Sequence, residues 1–188
     1  VNTLLGDYAA AQRDFARVLA FLPGEAAPKL AIAAVNELML QHLGLHEEPM
    51  LNDALARASA GLRSKLDDVD QSFFEDLHDR GLLDREWGLI TNDPAMLRFH
   101  SMRLYALVWV TNPTTVSSAF GLARQLMNEG EVELAVAALD KVPNSSRHNR
   151  MAQLTAILCL VSRDLTESRI RRAARRLDQI PNTEPRFL

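Results

Sequence analysis

His42, His46, Glu47 and Glu48 crowd into the stretch QHLGLHEEP, and imidazoles beside carboxylates are the raw material of a metal site or of acid–base chemistry. The two histidines straddle Gly44 rather than sharing one helix turn, and the sequence anchors no third ligand, so the stretch reads as a solvated loop. A second coincidence is His78-Asp79-Arg80, a scrambled kinase catalytic triplet. No asparagine follows it at the required spacing, Gly81 beside it reads as a helix cap, and the eight glycines are scattered instead of forming a loop over phosphates. The one cysteine, Cys159 in LTAILCLVS, reads as a small buried apolar group and excludes both an intrachain disulfide and a zinc framework. No catalytic residue, metal ligand or cofactor-binding residue is assigned to this chain.

The densest chemistry is cationic. In RIRRAARR, Arg171 and Arg175 share one helical face, as do Arg172 and Arg176. Such a run has three readings: a solvated face, an intramolecular clamp, or a dock for acidic or phosphorylated segments. The counterpart for a clamp is residues 45–93, which hold twelve acids against five bases, a net of −7, while the remainder of the chain carries +4. The formal charge of −3 over the whole chain supplies no general basic footprint, so nucleic acid is not expected as a partner. No apolar run approaches the ~20 residues of a spanning helix, so direct membrane insertion is not expected either.

These residues need elements to hold them. With 47% hydrophobic residues, 6% aromatics and many alanines, the composition favours closely packed helices, an all-α fold. An internal repeat sets the register. Val132, Ala135, Leu139, Val142, Pro143 and Asn144 match Ile170, Ala173, Leu177, Ile180, Pro181 and Asn182 at a constant offset of 38. Each set lies on one helical face and ends at a proline that forbids continuation. An apolar helix precedes each, Val116 to Met127 and Met151 to Val161, so the unit is a helical hairpin. At the start of the chain, GDYAAAQRDFARVLAFLP is followed by a helix with Pro28 in its first turn and an end near Gly44.

The period breaks at 45 and resumes at Asp93-Pro94, an N-cap followed by proline. Residues 45–93 are therefore read as an acidic helical insertion between the first repeats, 1–44, and the remaining repeats, 94–188. Within it, Leu51, Leu55, Ala58 and Leu62 form one stripe and Leu66, Val69, Phe73 and Leu77 another. Trp87 and Trp109 have the size to line a pocket, although Trp109 in LYALVWV reads as core. The opening VNTLLGDY resembles the end of a helix, so the chain is read as part of something longer.

GDYxxAxxxFxxVLxxxP resembles the second-helix signature of tetratricopeptide repeats, whose period is about 34 residues. The ordered series LPGEAAPKLA, VSSAFGLAR, LDKVPNSSRH and IPNTEPRFL is similar to the tetratricopeptide domain of the actinobacterial serine/threonine protein kinase G family. The resemblance covers residues 1 to 44 and roughly 100 to 188; the acidic insertion departs from it. It implies an α-solenoid regulatory domain of a cytoplasmic kinase, with ATP and a divalent metal belonging to the parent chain. The implied partners are the parent kinase domain, a protein substrate or regulator, and a second copy in a homodimer. The implied substrate is a small forkhead-associated protein that controls 2-oxoglutarate and glutamate metabolism.

The expected binding surface is the concave face made by the first helix of each pair, with Asn36, Gln125 and Asn128 as exposed polar positions beside the packed stripe. The arginines Arg171, Arg172, Arg175 and Arg176 are the other candidate protein-binding residues. Two alternatives stand beside this reading: a free-standing repeat adaptor for chaperones or transcription, and an all-α metal-dependent enzyme built on His42, His46 and Glu47.

Overall fold

Local signals in the chain set most helix ends. In the computed structural model, which describes residues 1–53 and 90–180, Asp7 caps α1 (Tyr8–Phe21) by accepting from the Ala10 N–H at 3.0 Å. α2 (Ala26–His42) carries Pro28 in its first turn and stops ahead of Gly44, whose φ of +72° only glycine adopts readily. Asp93 caps α3 (Pro94–Thr111), accepting from Ala95 and Met96 at 2.9 and 3.2 Å, with Pro94 at the first helical position. α4 (Val116–Asn128) and α5 (Val132–Asp140) are joined at Gly130, φ +86°. α6 (Asn149–Ser162) and α7 (Glu167–Asp178) complete the series, with Thr166 capping α7.

Each described helix packs on the one before it, and α2 also reaches α4. Seven helices lie wholly within the described residues, with no strand among them, so the expectation of an all-α array of stacked hairpins holds. The insertion stripes beyond Asp53, the triplet at His78, and Trp87 lie outside the described residues.

The core runs through the row rather than gathering at one centre. Val132, Ala135, Leu139 and Val142, the first copy of the repeat stripe, are all buried. In the second copy Ala173 and Ile180 are buried while Ile170 and Leu177 are 49% and 46% exposed. The expected equivalence therefore fails on α7, since α6 covers the stripe of α5 and no described helix lies in the corresponding place against α7.

Close approach is fixed at one point by a missing side chain. A Cβ on Gly121 of α4 would fall 2.4 Å from Cε1 of Tyr105 on α3, so these two helices meet only because residue 121 has none. Trp109 is core, as its apolar surroundings predict, and its indole Nε1–H donates to the Ala138 carbonyl at 3.2 Å.

Candidate protein-binding groove

A groove of about 740 Å³ runs across α2, α4 and α6, the first helices of the successive hairpins. Its floor is largely apolar, with Leu38 and Leu40 from α2 and Phe120, Ala123 and Met127 from α4; Thr155 and Cys159 of α6 close one side. Two residues of the loop after α2, His46 and Glu47, stand at its end. Such a concave face with a few polar groups is the geometry of a recognition site.

The polar groups belong to one network. Glu37 of α2 accepts from Tyr105 Oη at 2.6 Å, from Arg124 Nη2 at 2.8 Å and Nε at 3.2 Å, and from Gln125 Nε2 at 2.6 Å. Burial, followed by the neighbouring Glu37 charge, pushes the Tyr105 phenol well above its ordinary value. For Arg124, burial lowers the pKa, but the bond and charge of Glu37 outweigh it and raise the net value. The carboxylate thus fixes both the phenol and the guanidinium at the groove wall.

Gln125 carries the network onward, its Oε1 accepting from Arg98 Nη1 at 2.8 Å. Arg98 of α3 is 1% exposed. Its Nη2 donates to the carbonyls of Leu45 (3.3 Å), Glu48 (3.4 Å) and His46, and its Nε faces the Glu129 carboxylate at 3.9 Å. Glu129 in turn accepts from the Met50 and Leu51 N–H groups, each at 3.1 Å, and Asn128 Nδ2 donates to the His46 carbonyl at 2.7 Å.

The sequence candidates divide. Asn128 lines the groove but is half-buried rather than exposed, with its Nδ2 on the His46 carbonyl. Asn36 and Gln125 were expected to be exposed and are not: they are 0% and 1% accessible. Asn36 Oδ1 accepts from Gln12 Nε2 of α1, and Gln125 is held between Arg98 and Glu37, so both amides are turned inward by interhelical bonds. The sequence reading missed Glu37, Arg98 and Arg124; a buried arginine in an apolar helix, RFHSMR in α3, was the available signal.

The arginine run is turned toward its own array. Arg172 Nη1 meets Glu133 at 2.6 Å, Arg176 takes Asp140 in a bidentate pair at 2.6 and 2.7 Å, and Arg171 pairs with Glu167 one turn away. Arg175 donates to the Arg171 carbonyl at 3.3 Å and stays exposed. The described partners are carboxylates of α5 and α7; the greater part of the acidic insertion lies outside the described residues.

His42 packs edge-on against Tyr8, ring centroids 6.1 Å apart, while His46 lies 3.8 Å from Glu47 in the loop. Among the described residues no three His, Cys, Asp or Glu side chains converge as a metal site requires. No described helix is long and apolar enough to cross a membrane.

The profile of the Protein kinase G tetratricopeptide repeat family matches residues 1–188. The chain belongs to that family. It is 35% identical over 191 residues to the serine/threonine-protein kinase PknG of Mycobacterium leprae (strain TN), covering 100% of this chain and 18% of the relative. To the PknG of Mycolicibacterium smegmatis (strain ATCC 700084 / mc(2)155) it is 33% identical over 189 residues, 98% of this chain and 17% of the relative. The chain thus spans under a fifth of the length of these curated relatives and corresponds to their repeat region, without a kinase domain of its own.

Proposed function

We propose that this chain is the non-catalytic, protein-binding regulatory domain of a serine/threonine protein kinase, and that it engages a protein substrate or regulator along the groove of α2, α4 and α6. The observation that carries this reading is the groove itself, an apolar floor across three first helices bordered by the Glu37–Arg124–Tyr105 cluster. Membership of the kinase G repeat family supports it. The parent kinase supplies ATP and divalent-metal chemistry elsewhere in its chain and works in the cytoplasm, with the repeat domain as a site for the kinase domain or a second copy to rest on. Its substrate class is a small forkhead-associated regulator of 2-oxoglutarate and glutamate metabolism, a reading that rests on the family resemblance.

The test uses the complete kinase carrying Phe120→Glu together with Asn128→Ala, assayed on the forkhead-associated protein and on a short peptide containing its phosphorylation site. The expected result is a rise in KM of about tenfold or more for the protein substrate, the scale of losing one interface anchor, with peptide kinetics unchanged. Equal kinetics on both substrates, before and after substitution, would remove the groove from substrate recognition.

A further inference from the structure

The groove's end is formed by a loop, yet two charged residues outside it, one on α3 and one capping the C-terminus of α4, hold that loop. A guanidinium that is 1% exposed must find acceptors for its donors. Arg98 finds them in the carbonyls of Leu45, His46 and Glu48 and in Gln125 Oε1. Glu129 supplies the opposite charge and binds the N–H groups of Met50 and Leu51. The loop is therefore gripped at its oxygens by a cation and at its nitrogens by an anion, and both grips come from outside it.

His46 and Glu47 project from this same loop into the groove, so its placement sets the groove's width and polarity there. Gln125 has both ends of its amide engaged, donating to Glu37 and accepting from Arg98. Turning that amide over would place donor against donor and acceptor against acceptor. Glu37 at the groove wall is thereby linked through Gln125 to Arg98 and to the loop.

We propose that Arg98 is a positioning residue that makes segment 45–51, a loop and the first residue of the helix after it, the end wall of the groove, and that Gln125 couples this wall to the Glu37 cluster. This goes beyond protein binding as such and concerns how the binding face is assembled. It is tested without any partner, so its failure and the failure of the recognition reading are separate results.

The experiment is amide hydrogen exchange on the whole chain. Arg98→Met speeds exchange at the Met50 and Leu51 amides by about tenfold or more, the effect of removing one side of a buried charge-assisted contact. Exchange in α5 stays as it was. Arg98→Lys, which keeps the charge but has fewer donors, recovers part of the protection. If Arg98→Met fails to fold, Glu129→Gln and Asn128→Ala read the same amides. Unchanged exchange at 50 and 51, or acceleration spread evenly over every helix, overturns the positioning role. Glu37→Gln, which touches neither amide, speeds them by about threefold, the scale of a modest coupling between linked residues, and has no effect in a Gln125→Leu background. An effect of equal size in both backgrounds overturns the coupling.

Discussion

α3 and α7 are both basic helices with opposite fates. In α3, Arg98, His100 and Arg103 lie buried among residues that are inaccessible from Leu97 to Trp109. In α7, five arginines surround Ala173, the one buried residue of that helix. The difference is in what flanks them. α3 is pressed between α2 and α4 and reaches α5, bonding Ala33 through Ser101 Oγ and Ala138 through Trp109. α7 rests on α6 and is tied to α5 by ion pairs. A charged residue's role in such an array is set by its place in the row: inside, it must satisfy buried backbone and polar groups; on an outer helix it links neighbours through water-exposed pairs.

The sharpest way to break that contrast is to truncate one leucine in each helix. Leu104→Ala, at a site that is 0% exposed, is expected to cost about 3–5 kcal/mol. Leu177→Ala, 46% exposed, is expected to cost under about 1 kcal/mol because little apolar surface is lost from cover. Urea unfolding of the two variants measures both, and equal losses would mean that α7 is as deeply embedded as α3.

Gly121→Ala asks whether α3 and α4 can separate at all. The added methyl meets the Tyr105 ring, so a loss of about 1–3 kcal/mol is expected. Tyr105→Phe in the same background does not relieve it, since the clash is with the ring and not with the hydroxyl.

Alkaline titration probes α3 through Tyr105, with the buried Cys159 thiol of α6 acting in the same direction. Because burial raises the Tyr105 pKa above that of the unfolded chain, its contribution to stability is intact below about pH 10 and declines as pH rises beyond. The expected slope is about 1.4 kcal/mol per pH unit in that window. Tyr105→Phe should make it shallower, which denaturant melts at pH 9 and above can establish.

The smallest effects belong to α7. Arg176→Ala is expected to cost about 0.5–1 kcal/mol, less at high salt, through loss of its bidentate pair with Asp140. Arg175→Ala, at an exposed site where the side chain meets a backbone carbonyl, should leave the melting temperature where it was.

The array was legible because its signals are local or periodic. Gly130, Asp93-Pro94 and the 38-residue offset each name a helix end or a repeated face without reference to anything distant. The groove residues were less so. Asn36 and Gln125 sit beside an apolar stripe, where helical periodicity cannot separate a groove-facing amide from one bonded to the next helix. Their partners are far along the chain: Gln12 is 24 residues from Asn36, and Glu37 is 88 from Gln125. The ion pairs of α7 follow the repeat more closely. Arg172 with Glu133 and Arg176 with Asp140 are 39 and 36 residues apart, so a search one period upstream for carboxylates would have found them.

Cys159 lines the groove, yet burial pushes its thiol up and keeps it protonated. Sulfur reacts with peroxide or with another disulfide as the thiolate, so this side chain offers oxidants little to attack. The thiol on the face that would meet a partner is accordingly shielded from thiolate chemistry, which leaves the half-buried Met127 thioether as the groove sulfur open to oxidation.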